Sequence, residues 1–188
     1  MAGMARASQA QARENRDRVV RTAARLFRER GVGGVSVSDL MAEAGLTHGG
    51  FYKQFPSKEA LVAEATGRAF GDLGARLTDL DERHAGDHDA ARREFVAGYL
   101  SAGHRDDAGN GCPVTGLGPD VAREDGAARE PYAHGVEEFA RWMAGADGDQ
   151  DLAAVATMVG ALLIARATSG TPLSDRVLAA AKDALSQG

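Results

Sequence analysis

Closely spaced glycines punctuate the first third of the chain, which therefore reads as short helices joined by tight turns. From Arg13 the pattern is helical. Val19, Val20, Ala23, Leu26 and Phe27 fall on one stripe with arginines between them, and Gly31 is a natural C-cap. Ser36-Val37-Ser38-Asp39 has the spacing of a capping box. The helix it opens carries Leu40, Met41 and Ala44 and stops at Gly45. Thr47 is placed to cap a short helix from His48 to Gln54. Pro56 and Ser57 end that helix and begin another, whose apolar face is Leu61, Val62, Ala65 and Ala69. Residues 1–12 are polar, rich in Ala and Gln and without apolar periodicity, so they are expected to fray.

The remainder continues in helices. The Leu61 helix is expected to run to about Arg83, and a loop follows from His84 to His88. Asp89 to Gly103 reads as one helix with Phe95, Val96, Tyr99 and Leu100 inward, broken by the Gly-rich stretch Asp106 to Gly111. Pro113 suits a helix start leading to Arg123. Glu130 to Ala144, Asp151 to Thr168 and Ser174 to Ser186 complete the set. β-branched runs are scarce and aromatics are only 5% of residues, so strands have little to build on. The expectation is an all-α chain of about nine helices, with a head at 13–60 and a body at 61–188.

Composition excludes several classes. No window reaches 18 uncharged apolar residues; the best run, Leu152 to Ala165, is too short for a bilayer, so no membrane partner is expected. Met1 to Arg13 has charge but no apolar core of a secretory signal, which points to a cytoplasmic protein. One cysteine rules out an internal disulfide framework and a Cys-based structural zinc site. The net charge of −5 argues against nucleic acid when taken whole. Divided, the chain says otherwise: residues 1–60 hold ten Lys/Arg against six acids, and the rest holds twelve against twenty-one. A basic head on an acidic body suits an end that faces phosphates, although an unevenly solvated surface has the same signature.

Residues Val35 to Lys58, VSVSDLMAEAGLTHGGFYKQFPSK, read as a helix, a turn at Gly45-Leu46 and a second helix that can enter a major groove of double-stranded DNA. Gly49 and Gly50 stand adjacent in that second helix, where each costs about 1 kcal/mol against Ala. Close approach of base edges would explain them; so would contact with a neighbouring helix. Thr47, Tyr52, Lys53 and Gln54 suit phosphate, with Lys58 and the backbone amides at the next helix start. Phe51 and Phe55 would anchor the segment. With His48, Gly49, Gly50 and the cap residue Ser36, these make up the candidate DNA-binding set.

From about Asn15 to Ala65 the sequence resembles the N-terminal domain of TetR/AcrR-family regulators. The matching stretches are ARLFRERG and SVSDLMAEAGLTHGGFYKQFPSKEALVAEA, about a quarter of the chain. The resemblance implies backbone contacts from Tyr52 and Lys58, and a reading face at Thr47, His48 and Gly49. A small or basic residue is usual where His48 stands, and His is frequent where Gln54 stands; these departures leave base preference open. The resemblance further implies a homodimer, a palindromic operator and a body that encloses a small-molecule effector.

In the last two helices, Val155, Val159, Leu162, Leu163, Val177, Leu178, Ala181 and Leu185 give aliphatic faces for a four-helix interface, unless both faces serve one chain. The candidate effector pocket comprises Phe95, Tyr99, Phe139, Trp142, Met143 and Met158, with His104, Cys112 and Thr115 beside them. Cys112, just ahead of Pro113, is either a thiolate favoured by the helix start or a small buried hydrophobe. The remaining constellations fail on detail. Gly109 to Gly118 lacks the spacing of a dinucleotide or phosphate loop. His84 and His88 have no third ligand, and Asp147, Asp149 and Asp151 lack the Gly and Glu of a calcium loop. No metal, cofactor or catalytic site is expected. The reading is a ligand-responsive transcriptional regulator, a repressor rather than an enzyme.

Overall fold

A computed structural model of the chain describes residues 2–124, 126–146 and 148–186; Asp147 of the calcium-loop comparison lies outside them. Nine α-helices and one 3-10 turn make up the described residues, with no strand among them. They are α1 (Ala2–Arg30), α2 (Val37–Glu43), the 3-10 turn His48–Gly50, α3 (Lys58–Arg83), α4 (His88–Tyr99), α5 (Ala102–Asp106), α6 (Pro113–Arg123), α7 (Arg129–Ala144), α8 (Leu152–Ala167) and α9 (Pro172–Ser186).

Local chemistry sets the helix ends. Ser36, Ser57, Asp87, Ser101 and Asp151 each accept a backbone N–H three residues on, a cap worth about 1 kcal/mol. Gly31 and Gly45 close α1 and α2 at φ +74° and +70°, a left-handed backbone that any side chain strains. Two expectations are corrected. α1 begins at Ala2 rather than Arg13, because Ala, Gln and Arg favour the helix. The helix expected over 89–103 divides at Leu100, because Ser101 caps α5 through the His104 amide and donates to the Gly98 carbonyl.

Two cores form. The first packs Val19, Leu26 and Phe27 of α1, Leu40 and Met41 of α2, Phe51 and Phe55, and Leu61 to Ala69 of α3. Leu117 and Val121 of α6 belong to it as well. The second packs Phe70, Leu73 and Leu77 of α3 with α4, α7, α8 and α9. The cores therefore part near residues 69–70, inside a continuous 26-residue helix. α3 is a rod about 39 Å long that belongs to both.

Candidate DNA-binding face, effector clefts and subunit face

The turn after α2 is built on hydrogen bonds from Gly45 N–H to the Ala42 carbonyl and from Leu46 N–H to the Met41 carbonyl. The second helix expected over His48–Gln54 is instead one 3-10 turn, with Gly50 N–H on Thr47 O and Phe51 N–H on His48 O. A further turn follows, in which Gln54 and Phe55 both donate to Phe51 O. The adjacent glycines remove the propensity a longer helix needs, and Pro56 stops it soon after. Thr47 stands at the N-cap without a side-chain cap bond.

This tight turn is held from below. Phe51 and Phe55 are buried, their rings 5.5 Å apart. Tyr52 is 67% exposed and meets the Phe51 ring edge-on at 5.1 Å. A Cβ on Gly49 would meet nothing within 4 Å, and one on Gly50 would make ordinary contacts with Met41 Cε at 3.5 Å, Thr47 Oγ1 at 3.8 Å and Gln54 Nε2 at 4.0 Å. Neither glycine has positive φ. Internal packing thus accounts for neither, and the bare backbone faces outward at Gly49.

Other residues of the set have internal partners. Ser36 Oγ caps Asp39 N–H and donates to Asp39 Oδ2 at 2.6 Å. Lys58 Nζ donates to the Val32 carbonyl at 2.7 Å and lies 6.0 Å from the Phe27 ring centre, so it braces the loop after α1. Gln54 Nε2 turns back to the Gly50 carbonyl at 3.4 Å, leaving Oε1 buried and unpartnered. Lys53 is exposed with no ion-pair partner among the described residues. The arginines of α1 are more committed than a charge count implies. Arg16 pairs with Glu64, Arg21 with Asp17, and Arg25 with both Glu29 and Glu43.

In the body the expected pocket residues divide. Phe95, Tyr99, His104 and Cys112 line a cleft of about 350 Å³ between α3, α4 and the segment after α5. Phe139 and Trp142 line another, of about 500 Å³, between α3 and α7. Met158 is wholly buried core, Met143 lines neither cleft, and Thr115 is a buried partner of the Tyr99 hydroxyl at 3.3 Å. Cys112 is 1% exposed and makes no side-chain cap bond at the start of α6. His104 has a defined tautomer: Nδ1 donates to the Tyr99 carbonyl at 2.8 Å, and Nε2 accepts the Cys112 N–H at 3.0 Å. Burial holds its pKa below the ordinary histidine value.

α8 is apolar all round. Val155 and Leu162, with Leu178 and Ala181 of α9, four of the eight expected interface residues, are buried in the chain's own core. Periodicity locates an apolar face but not its neighbour. Leu152, Leu163, Ile164 and Leu173 are 44–52% exposed on the opposite side.

Sequence reading missed a cluster of arginines around the loop after α5. Arg28 of α1 donates to Gly109 O, Arg76 of α3 to Asn110 O, and Arg166 of α8 to Arg105 O and His104 O. No local pattern signals this, because the donors come from three distant helices.

A bare-backbone turn set on a buried helical base, with an apolar body behind it, defines the class as a helix-turn-helix head on a helical body. Residues 19–65 match the family described as bacterial regulatory proteins, tetR family. The HTH-type transcriptional regulator AcrR of Shigella flexneri is 28% identical over 99 residues, covering 53% of this chain and 46% of AcrR. The uncharacterised HTH-type regulator YerO of Bacillus subtilis is 32% identical over 73 residues, 39% of this chain and 25% of YerO. The chain thus spans about a quarter to a half of the length of these curated relatives. Reduced NemR of E. coli shares the fold, with a TM-score of 0.68 at 24% identity over 90% of this chain and 96% of NemR. The head thus matches the tetR family model, and the chain shares its fold along nearly its whole length with a solved TetR-family regulator of Cytophaga hutchinsonii, at a TM-score of 0.70 and 22% identity over 94% of this chain and 96% of that one.

Proposed function

We propose that the protein is a ligand-responsive transcriptional repressor, cytoplasmic, that binds a palindromic operator as a homodimer and leaves it when a small effector occupies the body. The observation that carries this reading is the turn at Gly49, open to the outside with Tyr52 exposed beside it. Bare backbone at that point admits base edges and thymine methyls, and Tyr52 and Lys53 stand where phosphates would flank it.

One head of this size binds weakly, so two heads about one duplex turn apart gain from tethering. The exposed face of Leu152, Leu163 and Ile164 supports pairing, since an all-round apolar helix calls for cover on both sides. α3, shared by both cores, offers a rigid link from body to head. A ligand that favours one head spacing 100-fold shifts the equilibrium by about 2.7 kcal/mol.

Selection of random duplex DNA by the purified protein, followed by anisotropy with the enriched site, tests the proposal. The expected result is a palindrome with half-sites about one turn apart, bound less tightly as salt rises and lost in Tyr52→Ala. No enrichment at low salt overturns it.

A further inference from the structure

The smaller cleft carries an electrostatic asymmetry. On its outer side Arg83 is saturated, pairing with Asp79 at 3.2 Å and Glu94 at 2.9 Å, and Glu94 also holds His84. At the end nearer Asn110, Arg76 makes one weak bond, 3.3 Å to the Asn110 carbonyl, and has no carboxylate partner among the described residues. Arg28 and Arg166 behind it likewise bond only main-chain carbonyls of the segment 104–109. The acids close by are occupied: Asp107 accepts from the Asn110 amide and side chain, and Asp72 binds Arg68. Three guanidinium groups thus converge on one loop, where the Asp107 charge acts on Arg28 and Arg166 without a direct ion pair, and of the three only Arg76 lines the cleft. Its apolar lining is Phe95 and Tyr99, with rings 5.7 Å apart and tilted by 51°, and Leu73 and Leu80 buried behind.

We propose that this cleft is the effector site and that its ligand is a small organic anion, a carboxylate on a flat ring-bearing body, held by Arg76 beside His104 and Cys112. The assignment rests on the reading of the protein as an effector-released regulator and supplies the chemistry of the effector. A carboxylate fits the guanidinium fork in a bidentate manner, better than one carbonyl at 3.3 Å does. The ring stacks against Phe95 and Tyr99. Asp79 and Glu94 both engage Arg83, which leaves Arg76 as the charged lining group with no ion-pair partner among the described residues. Drawing Arg76 away from Asn110 releases one of the ties on the 104–110 loop. That loop also holds Arg28 of the head helix α1 and Arg166 of α8, so ligand binding reaches both the DNA-reading end and the subunit face.

The test uses the full-length protein, calorimetry, and a panel of benzoate, 2-naphthoate and 4-phenylbenzoate with the matching neutral amides. At least one acid is expected to bind about tenfold or more tighter than its amide, equivalent to about 1.4 kcal/mol. Arg76→Gln abolishes that preference, while Glu138→Gln in the other cleft leaves it unchanged. Arg76 is exposed and makes one long bond, so Arg76→Gln keeps the thermal midpoint of the folded protein. Equal binding of acids and amides, no binding of any acid, or an unaltered preference in Arg76→Gln overturns the assignment. Operator anisotropy separates the two proposals. If the protein binds its operator but no acid binds, the ligand class fails and the regulator stands. If an acid binds through Arg76 yet leaves the operator occupied, the effector role fails.

Discussion

The head and the body of this protein build function in opposite ways. In the head, the outward groups carry little structural duty: a Cβ on Gly49 would meet nothing within 4 Å, Tyr52 is two-thirds exposed, and Phe51 and Phe55 beneath them hold the turn. In the body, the groups that face the smaller cleft are structural as well. His104 ties Tyr99 to Cys112, and Arg76 ties α3 to the loop after α5. A surface that reads a rigid partner is best kept separate from its scaffold. A site that must transmit binding has to be part of what it moves.

The largest effect should come from removing the base of the head. Phe51→Ala is expected to destabilise the protein by about 3–5 kcal/mol, read by urea unfolding. Tyr52→Ala, its immediate neighbour, should stay within about 0.5 kcal/mol of the parent while losing operator binding. If both substitutions destabilise alike, the separation of display from scaffold is wrong.

Gly135 sharpens the body side of the comparison. A Cβ there would overlap the Phe70 ring where α7 crosses α3, beside the larger cleft. Gly135→Ala should cost about 1–3 kcal/mol, seen as a lowered thermal midpoint. It strikes the contact at which α3 enters the second core, so effector response should fall with stability. A variant as stable as the parent would remove the close helix crossing from the account.

Much of this was legible where the signal is local. The stripe from Val19 to Phe27, the face from Leu61 to Ala69 and the caps at Ser36, Gly31 and Gly45 all follow from periodicity and end residues, and all are where they were expected. The site residues were legible only in part, because their partners are distant in sequence. Lys58 reads as a phosphate ligand, and its bond to the Val32 carbonyl, 26 residues away, has no local signal. The basic head reads as free positive charge until Glu64, Asp17 and Glu43 are paired off. Val155 and Leu163 both look apolar on α8, and only the packing of α9 shows which one is turned outward.

The pH response should distinguish the two regions at a smaller scale. His104 is held neutral by burial, with one nitrogen donating and the other accepting, so its folded-state pKa lies below the ordinary value of about 6.5. The unfolded chain then binds the proton first. This contribution to stability is present above about pH 6.5 and is lost as pH falls through the folded value. Thermal midpoints from pH 7.5 down should drop on acidification, and His104→Gln should flatten that drop. A profile unchanged by the substitution would mean that other groups carry the acid sensitivity.

The smallest effect in stability is the most informative about the head. A Cβ at Gly49 meets open space and the backbone there is not left-handed, so Gly49→Ala removes conformational freedom from the unfolded chain without strain. Stability should rise by about 0.4–1 kcal/mol. Operator affinity should fall all the same, because the new methyl stands where base edges approach, and the loss should be larger for Gly49→Val. A stabilised protein that binds DNA less well means that the glycine is kept for its partner and not for its fold. Should Gly49→Ala instead bind with full affinity, the bare backbone is not the reading surface, and His48 or Tyr52 must carry the approach to the groove.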